Sequence, residues 1–593
     1  MMKVFEANIT HQVSDYLNDN LKNVASVEKA NKKMYEIFGF IRFFDNDEDL
    51  QILRETVYTT QNTDSESDRA EYGDFQTNLD LANKIAFRLK TKNAAPEIII
   101  EPTCGKGNFI VASLKHFSAL KKIFGIEIYK PYVWESKFNI IDFYLNNSIK
   151  NKPEISIIHN SVFDFNFKKI LSFGENLGRP EILIIGNPPW VTNSKLGSLN
   201  SSNLPEKTNF KNHAGLDAMT GKANFDIAES IILMMIETFQ HQKGNIALLV
   251  KNSVIKNLVF DQFIKKYAIS DIEKHCIDSK KEFNVSVGAS LFYCKLNSNP
   301  ELDCTTFNFY NNSDANLNFG WLSDKFVSNI DAYSNAKQID GKCPFEWRQG
   351  IKHDCSSIME LDKANGHFVN RLKEEIKLEN DLVYGVLKSS DLKKTVIKET
   401  RKYTIVTQKR VGQETNYIKS NFPKTYQYLI ARQDLFISRK SSIYNNKPPF
   451  SIFGVGDYSF KPYKVAISGL YKTFHFTLVL PQEEKPVMLD DTCYMLGFDR
   501  LESAVYSLML LNHETTTKFL KSITFADAKR TFTKDILMRI DLLKLAQTID
   551  KPALQNELNC LNQTYNFNMT LDFWRDFINE MTSIQSKQIE PLA

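Results

Sequence analysis

The sequence predicts an α/β fold with helices on both faces of a mostly parallel sheet, followed by a mixed α+β region. Residues 97–117 (EIIIEPTCGKGNFIVASLKHF) have the pattern of a strand, a loop and a helix. Residues 182–185 (ILII) form a short apolar run that is typical of a strand buried on both faces. Residues 436–472 combine short strand patterns with frequent Gly and Pro, which indicates a less regular second half.

The first strand–loop–helix unit has the features of a ligand site. Gly105 and Gly107 allow the backbone to approach a ligand closely, and Glu101 at the strand end can accept hydrogen bonds from it. A dinucleotide fingerprint requires a third glycine, but Asn108 and Phe109 follow Gly107. The pattern therefore disfavours a nicotinamide cofactor and is compatible with a nucleoside that lacks a pyrophosphate.

Two further strands are predicted to end in polar residues. Residues 123–133 (IFGIEIYKPYV) place Glu127 at a strand end about twenty residues after the glycine loop, where a carboxylate can bind both hydroxyls of a ribose. The alternative is that Glu127 is only a solvated acid. Residues 154–165 (EISIIHNSVFDF) predict a third strand, with Ser161 and Asp164 at its end.

Residues 182–194 (ILIIGNPPWVTNS) predict a buried strand that ends abruptly, because Gly186 and two prolines must stop it. Asn187 then lies at the carboxyl edge of the sheet, where ligands bind in open α/β folds. The Asn187 amide and the carbonyl groups of a stiff turn would face a crevice, with Trp190 as a flat wall. A surface turn with a half-buried tryptophan is the alternative.

These motifs carry a resemblance to a known family. The segments Glu101-Pro-Thr-Cys-Gly-Lys-Gly-Asn-Phe109, Glu127 and Asn187-Pro-Pro-Trp190, in that order, resemble the S-adenosylmethionine-dependent adenine-N6 DNA methyltransferases of restriction–modification systems. Residues 73–89 (GDFQTNLDLANKIAFRL) resemble the leading cofactor motif of the family, which gives the gamma order of motifs. The family usually has Thr-Pro where this chain has Thr77-Asn78. The resemblance covers residues 73–296 and, more loosely, the chain to residue 545.

The resemblance implies a Rossmann-like methyltransferase domain and a separate target-recognition domain. The implied organisation is a helical lead-in (1–72), the catalytic domain (73–300), a connecting segment (301–344), the recognition domain (345–545) and a helical C-terminal segment (546–593). The implied cofactor is S-adenosyl-L-methionine, with no metal. The residues expected to bind it are Thr77, Glu101, Thr103, Gly105, Gly107, Phe109, Glu127, Ile128, Ser161, Val162 and Asn187.

The chemistry of such a site accounts for the Asn-Pro-Pro-Trp stretch, and the expected catalytic residues are Asn187, Pro188, Pro189 and Trp190. The exocyclic amine of adenine is a poor nucleophile because its lone pair is delocalised into the ring. If the Asn187 side-chain oxygen and the Pro188 carbonyl accept its two hydrogens, the lone pair can point at the methyl donor. A base inside a duplex cannot reach this pocket, so the target adenine must flip out.

Trp190 is expected to stack on one face of that base and Phe283 on the other. Phe283 follows a charged stretch just before the predicted strand at the end of residues 277–296 (IDSKKEFNVSVGASLFYCKL). Core packing is the alternative for Phe283, because the chain has 43 phenylalanines. Residues 221–237 (GKANFDIAESIILMMIE) match the next family segment, in which Phe225 either touches a ligand or packs in the core and Asp226 either acts in the site or caps a helix.

The charge distribution indicates where DNA binds. The net charge is only +4, but residues 381–480 contain 17 Lys and Arg against 6 Asp and Glu. A solvated charged face is the alternative explanation. The residues expected to contact DNA are Lys195, Lys211, Arg348, Lys352, Lys388, Arg439, Lys440, Ser441, Lys461 and Lys464.

Residues 191–221 are polar and follow the Asn-Pro-Pro-Trp motif directly. A loop of this length in a compact domain is usually functional or disordered. We expect an active-site loop that orders around DNA, and a connective loop is the alternative.

The eight cysteines show no paired C-x-x-C spacing, which predicts free thiols in a reducing cytoplasm and no zinc site. Cys104 lies in the glycine loop, where a small residue in a tight turn need have no chemical role. No run of apolar residues is long enough for a membrane span, and no signal peptide is expected.

The predicted function is site-specific methylation of adenine N6 in double-stranded DNA by a monomer, with a separate cognate endonuclease left open as a partner. One alternative is methylation of RNA or of a protein glutamine amide, because these acceptors are also planar amide-like nitrogens. Another is a non-catalytic DNA-binding subunit with the same fold. Asn187, Glu101, Gly105 and Gly107 argue against the second alternative.

Overall fold

The computed structural model describes residues 2–5, 7–57, 76–149, 152–175, 178–191, 226–311, 315–364, 366–525 and 530–589. The chain divides into two compact units, Met1–Phe326 and Val327–Ala593. Each unit is described by itself below.

The first unit contains a ten-stranded sheet and a two-stranded hairpin. Its strands are β1 Met2–Val4, β2 Ala7–Ile9, β3 Ile98–Glu101, β4 Lys122–Glu127, β5 Glu154–His159, β6 Ile182–Gly186, β7 Gly244–Lys251, β8 Ile269–Ile277, β9 Ala289–Leu296, β10 Asp303–Asn308, β11 Ala315–Leu322 and β12 Lys325–Val327. Its first helices are α1 His11–Leu21, α2 Val27–Phe38, α3 Asp47–Val57, α4 Leu79–Thr91, α5 Asn108–His116, α6 Lys130–Asn146 and α7 Lys168–Glu175. Three further helices span Ile227–Phe239, Asn252–Lys265 and Ser279–Phe283.

The order of the ten strands is β12-β11-β10-β8-β9-β7-β6-β3-β4-β5. The adjacent strands β5, β4, β3, β6 and β7 are all parallel to one another. Strand β9 runs antiparallel to both of its neighbours, β7 and β8. The parallel strands β3 and β6 are buried at every position, because helices cover both faces of the sheet. The predicted α/β class and the predicted mostly parallel sheet are therefore confirmed.

The N-terminal residues pack on helix α6 and on the edge strand β5. Phe5 stacks on Trp134 with ring centroids 4.2 Å apart. The Lys137 ammonium donates a hydrogen bond to the Phe43 carbonyl at 2.6 Å, inside a group of aromatic rings. Phe40 pairs with Ile155 in a β-bridge beside β5. The lead-in is thus part of the first unit, and contains a short hairpin as well as helices.

The second unit has a mixed α+β architecture, as predicted. One sheet has the strand order β13-β23-β20-β21-β18 and the other has the order β16-β15-β14-β19-β17-β22. The strands are β13 Arg348–Gln349, β14 Glu360–Ala364, β15 His367–Asn370, β16 Glu375–Ile376, β17 Val383–Leu387, β18 Val396–Ile397, β19 Lys402–Ile405, β20 Tyr463–Ser468, β21 Thr477–Val479, β22 Met488–Leu489 and β23 Cys493–Phe498.

Helices fill the rest of the second unit. The longer ones are Pro423–Ile430, Leu501–Asn512, Glu514–Ile523, Leu542–Thr548, Lys551–Tyr565 and Trp574–Ile589. Shorter α-helices are Ile330–Ser334, Ser356–Met359, Tyr417–Asn421, Gln433–Ile437 and Lys534–Leu537, and the 3-10 turns are Lys337–Ile339, Asn380–Leu382, Ser389–Asp391, Ser442–Tyr444 and Asp457–Phe460. The domain boundaries at residues 72, 300, 344 and 545 stay predictions.

Candidate active site

The strand order creates a crevice at the carboxyl ends of β3 and β6. After β3 the chain moves to one side of the sheet through β4 and β5, and then returns to the other side of β3 through β6 and β7. Connections on opposite faces leave a gap between β3 and β6, which is the place where ligands bind in open α/β sheets. Glu101 and Asn187 lie at this place, since Glu101 is the last residue of β3 and Asn187 follows β6.

The turn after β3 brings backbone N–H groups to the crevice. Gly105 and Gly107 have φ angles of +49° and +75°, which side chains other than glycine rarely allow. A Cβ atom at Gly107 would lie 2.9 Å from Cβ of Ser136 on helix α6. The glycine therefore lets α5 begin close against α6.

Glu127 holds this turn in place. Its Oε2 accepts a hydrogen bond from the Gly105 N–H at 2.8 Å, and its Oε1 accepts one from the Tyr129 N–H at the same distance. Only 8% of Glu127 is exposed, so it is not the solvated acid of the alternative reading. A carboxylate oxygen can accept more than one hydrogen bond.

Glu101 is a buried acid with unused hydrogen-bonding capacity. It is 2% exposed, and its Oε2 accepts no hydrogen bond from any residue that the structure describes. Burial, and secondarily the charge of Glu127, raises the pKa of Glu101 well above its ordinary value. Thr77 and Thr103 also have buried hydroxyl groups without a described partner. Such a group of buried polar atoms at a sheet edge is typical of a binding site.

The departure at Thr77-Asn78 has a structural explanation. Asn78 caps helix α4, because its side chain accepts a hydrogen bond from the Leu81 N–H at 2.8 Å. The Asn108 amide donates to the Thr77 carbonyl at 2.8 Å, which holds this segment over the glycine turn. Gln76 also lies against the turn, since a Cβ atom at Gly105 would lie 2.7 Å from its Oε1. Sequence reasoning missed Gln76, whose only signal was its place beside Thr77.

The other expected cofactor residues surround the same edge. Val162 and Phe109 are buried, and Ile128 follows β4 directly. The Ser161 hydroxyl accepts a hydrogen bond from the Phe163 N–H at 3.2 Å, in the turn after β5. The structure therefore brings all the described cofactor candidates to one edge of the sheet.

Cys104 is an inert structural thiol. It is 3% exposed, and burial together with Glu101 and Glu127 raises its pKa well above the ordinary value. A thiol with a raised pKa is a poor nucleophile. The interpretation of Cys104 as a small residue in a tight turn is supported.

The Asn-Pro-Pro-Trp turn lies directly beside Glu101. A Cβ atom at Gly186 would lie 3.3 Å from Cγ of Glu101, so the end of β6 and the acid of β3 are in contact. The Trp190 indole N–H donates to the Leu249 carbonyl of β7 at 3.2 Å, and Trp190 is 5% exposed. The tryptophan ring is therefore held against the end of β7.

Phe283 lies beside Trp190. Its ring centroid lies 5.0 Å from that of Trp190, at an interplanar angle of 69°. Because the rings meet edge to face, a base can lie between them only after Phe283 moves. Phe283 ends the short helix Ser279–Phe283 and is half-buried.

Comparison with known proteins gives the family. A family model described as "N-6 DNA Methylase" matches residues 58–313. The chain is also 40% identical over 486 residues to the Type II methyltransferase M.NspV from Nostoc sp., a match that covers 82% of this chain and 99% of the relative. The chain belongs to the N-6 DNA methylase family. This confirms the predicted enzyme class, an S-adenosylmethionine-dependent adenine-specific DNA methyltransferase.

Two solved structures of restriction–modification proteins are similar in outline to this N-6 DNA methylase. The Type IIL restriction-modification enzyme MmeI in complex with DNA has a TM-score of 0.48 and 12% identity, over 87% of this chain and 76% of that chain. A modification subunit of a putative type I restriction enzyme from Vibrio vulnificus YJ016 has a TM-score of 0.26 and 14% identity, over 54% of this chain and 63% of that chain.

Asp226 of the methylase is a helix cap. Its side chain accepts a hydrogen bond from the Ala228 N–H at 3.2 Å, at the start of helix Ile227–Phe239. The capping alternative is therefore confirmed. Phe225, Lys195, Lys211 and most of the loop 191–221 lie outside the described residues.

Five of the expected DNA-binding residues of the methylase line one cavity in the second unit. The cavity has a volume of about 680 Å³, and these residues are Lys352, Lys388, Arg439, Lys440 and Ser441. Lys440 is exposed and has no ion pair with a described residue.

The other cations of the cavity have partners. Lys352 lies 3.5 Å from Asp354, and the Lys388 ammonium donates to Glu360 at 2.5 Å. Arg439 donates to the Ser451 carbonyl at 2.7 Å and stacks on Tyr444. Lys440 is therefore the cation best placed to bind phosphate, Lys352 lies partly exposed at the same cavity beside Asp354, and Arg439 mainly supports the cavity wall.

The prediction that Lys464 contacts DNA is wrong. Lys464 is 0% exposed and its ammonium donates to the Lys461 carbonyl at 2.7 Å, so no phosphate can reach it. Arg348 and Lys461 lie outside the cavity and form ion pairs with Glu346 and Asp499. Their contact with DNA stays a prediction.

The described part of the chain contains no group of His, Cys, Asp and Glu residues that could hold a metal ion. Among the same residues, no helix is both long and apolar enough to cross a membrane.

Proposed function

We propose that this chain is the modification enzyme of a restriction–modification system, and that it methylates N6 of an adenine flipped out of double-stranded DNA at the Asn187-Pro188-Pro189-Trp190 turn. The observation that carries the proposal is the contact between this turn and the cofactor half of the site. Gly186, which precedes Asn187, lies against the side chain of Glu101 at the carboxyl edge of β3. The turn that would hold the acceptor nitrogen thus lies beside a residue that would hold the methyl donor.

The residues at this edge fit S-adenosyl-L-methionine, which supplies a methyl group activated on a positively charged sulfur. Glu127 would accept both ribose hydroxyls, while the backbone N–H of Gly105 stays bonded to it. Glu101 has an unused oxygen and a raised pKa, and a nearby positive charge would favour its ionised form. Thr77 and Thr103 offer buried hydroxyl groups to the same ligand.

Asn187 would activate the adenine amine. Its side-chain oxygen is buried at the edge of the crevice, where it would accept one hydrogen of the amine while the Pro188 carbonyl accepts the other. Both acceptors are fixed before the base arrives, since the two prolines restrict the turn. Direct transfer then depends on holding nitrogen, carbon and sulfur in line.

Trp190 would form the platform on which the flipped base stacks. Flipping costs a few kcal/mol, and stacking on an aromatic ring contributes about 1–3 kcal/mol per base. The hydrogen bond from Trp190 to Leu249 fixes the ring before binding, so little side-chain entropy is lost. Phe283 would swing from its edge-to-face position to cover the other face of the base.

The cavity in the second unit would contact the DNA backbone through Lys352 and Lys440. The residues 381–480, which supply part of its wall, have an excess of 11 positive charges. We also propose a monomer with a separate endonuclease in a reducing compartment. All eight cysteines are free thiols, as a reducing compartment would require.

Asn187→Ala tests the proposed function. It removes one acceptor of the amine but leaves both prolines, so the turn and β6 should persist. We expect unchanged affinity for S-adenosylmethionine and a single-turnover methylation rate lowered by at least about a hundredfold. The assay follows transfer of a labelled methyl group to genomic DNA that lacks adenine methylation.

Asn308→Ala is the matched control, because Asn308 also ends a strand at the carboxyl edge of the sheet but lies on β10, far from the crevice. Its rate should equal that of the wild type. Asn187→Asp keeps an acceptor oxygen and should retain partial activity. A wild-type rate in Asn187→Ala would refute the catalytic role of the turn, and transfer to RNA or protein in preference to DNA would refute the substrate.

A further inference from the structure

The carboxyl end of β7 holds the Asn-Pro-Pro-Trp turn at one point. The Trp190 indole N–H donates to the carbonyl of Leu249 at 3.2 Å. Two residues further along the same strand end, the Lys251 ammonium donates to Oδ2 of Asp226 at 2.5 Å. The same strand end therefore binds the residues on both sides of the segment 191–226.

The second contact is linked to the first through the backbone. Asp226 begins the helix Ile227–Phe239, and the Ile227 N–H donates to the Val191 carbonyl at 3.0 Å. Val191 is the neighbour of Trp190 in the chain. A displacement of Asp226 would thus be transmitted through Ile227 and Val191 to Trp190.

Helix capping alone does not require this arrangement. The cap uses Oδ1 of Asp226, which accepts from the Ala228 N–H, and asparagine would serve equally well. The ion pair uses the other oxygen. The side chains of Lys251 and Asp226 are only 17% and 9% exposed, so both charges have lost most of their hydration. Burial raises the pKa of Asp226, and Lys251 opposes that effect.

A buried ion pair seldom adds much stability, because the cost of removing two charges from water offsets their attraction. The ion pair instead restricts geometry, because each charged side chain has one favourable position once its partner is present. This property is useful beside a platform that must lie in line with a reacting nitrogen, where small displacements are costly.

We propose that Lys251 and Asp226 are positioning residues that set the place of Trp190 for methyl transfer. The inference rests on the proposed function of Trp190 as the platform for the flipped adenine. Neither residue touches the reacting atoms; both act through Val191 and the end of β7.

A double-mutant cycle on the full-length enzyme tests the proposal. Lys251→Met removes the ammonium group, and Asp226→Asn removes the carboxylate charge but keeps the helix cap. With excess enzyme on unmethylated genomic DNA, we expect each single variant to lower the single-turnover rate by about tenfold or more. The double variant should be no slower than the single ones, because both break the same pair. Lys251→Arg should restore most of the rate, and the affinity for S-adenosylmethionine should not change.

Lys92→Met is the matched control. Lys92 forms an ion pair with Glu273 in the same unit at 2.5 Å, with side chains 31% and 13% exposed. Its loss should lower stability in the same way but leave the rate per folded molecule unchanged. A rate for Lys251→Met equal to this control, or losses that multiply in the double variant, would overturn the proposal.

A spectroscopic readout separates this proposal from the proposed function. The fluorescence emission of Trp190 is obtained by subtracting the emission of the Trp190→Phe variant of each protein from the emission of that protein. In Lys251→Met this emission should become easier to quench with acrylamide, whereas in Lys92→Met it should not. Unchanged quenching in Lys251→Met would overturn the positioning role even if the enzyme methylates DNA. A wild-type enzyme that fails to methylate DNA would refute the proposed function, and the role in methyl transfer with it, whereas the quenching of Trp190 in Lys251→Met would still show whether the ion pair fixes the position of the ring.

Discussion

Lys464 is a buried lysine in the middle strand of the five-stranded sheet of the second unit. Its ammonium group donates a hydrogen bond to the Lys461 carbonyl, and burial lowers its pKa to about 7. The sequence predicts a phosphate contact here because Lys464 lies in the positively charged stretch 381–480. Strand β20 is buried at every position from Lys464 to Ser468, so alternation between an inner and an outer face does not apply to it.

Lys464→Met should stabilise the second unit, most strongly at neutral and lower pH. An unfolded lysine has a pKa near 10.4. Between about pH 7 and that value the unfolded chain binds more protons than the folded one, so the stability of the wild type rises with pH, by at most about 1.4 kcal/mol per pH unit. The variant lacks this pH dependence, so the difference in free energy of unfolding between Lys464→Met and the wild type should shrink as pH rises.

Urea unfolding of both proteins between pH 6 and pH 9 measures this difference, with the pH values chosen on either side of the lowered pKa of about 7. Lys461→Met is the control, because Lys461 is 35% exposed and should give a wild-type pH dependence. Lys137 in the first unit also has a pKa lowered by burial, to about 8, but it is present in all three proteins and cancels. A parallel pH dependence in Lys464→Met and the wild type would contradict the prediction.

At the scale of elements, the strand β3, the glycine turn and helix α5 form the unit that positions the cofactor residues. The turn is held by Glu127 from β4 and by Asn108 from α5. Gly107 begins α5 with a φ of +75° and lies against Ser136 of α6. The distance between the two helices is thus set by the absence of a side chain at one residue.

Gly107→Ala should weaken the binding of S-adenosylmethionine by tenfold or more. Its Cβ would lie 2.9 Å from Cβ of Ser136, so the start of α5, which follows the glycine turn, must shift away from α6. Calorimetric titration gives the affinity, and the melting temperature gives the stability. Gly178→Ala is the control, because Gly178 has a φ of +73° but nothing within 4 Å of its Cβ position.

In both alanine variants the free energy of unfolding should fall by about 1–2 kcal/mol, because alanine is strained in the left-handed backbone conformation. Only Gly107→Ala should lose cofactor affinity. Equal affinities in the two variants would show that close packing of α5 on α6 does not position the site.

The strands of the catalytic half could be predicted from the sequence, because each is a short apolar run that ends in a residue of special chemistry. Glu101, Glu127 and Asn187 were placed at strand ends in this way, and the structure has them there. The contacts of Trp190 with Leu249 and Phe283 could not be predicted, since they join residues 59 and 93 positions apart in the sequence. The ion pair of Lys251 with Asp226 depends in the same way on the pairing of β6 with β7.

At the scale of the whole molecule, positive charge is concentrated in part of the second unit. The chain carries a net charge of +4, whereas residues 381–480 alone carry an excess of 11. The structure places these cations in different surroundings, of which three are examples. Lys464 is buried, Lys402 is paired with Asp362 on the six-stranded sheet, and Lys440 is exposed at the cavity. Lys440 is therefore accessible to DNA phosphates, whereas Lys464 is not.

The salt dependence of DNA binding should therefore depend on the cavity. Each phosphate that a protein neutralises adds about 0.9 to the slope of log K against log salt for duplex DNA. Replacing Lys352 and Lys440 with methionine should lower the slope by about 2 in the full-length protein, as measured by anisotropy of labelled duplex DNA. The variant with Lys363→Met and Lys402→Met removes the same charge from two lysines that do not line the cavity, and its slope should stay near that of the wild type. Lys464→Met should also leave the slope unchanged. If the control pair lowers the slope as much as the cavity pair, net charge rather than the cavity determines how this methyltransferase binds DNA.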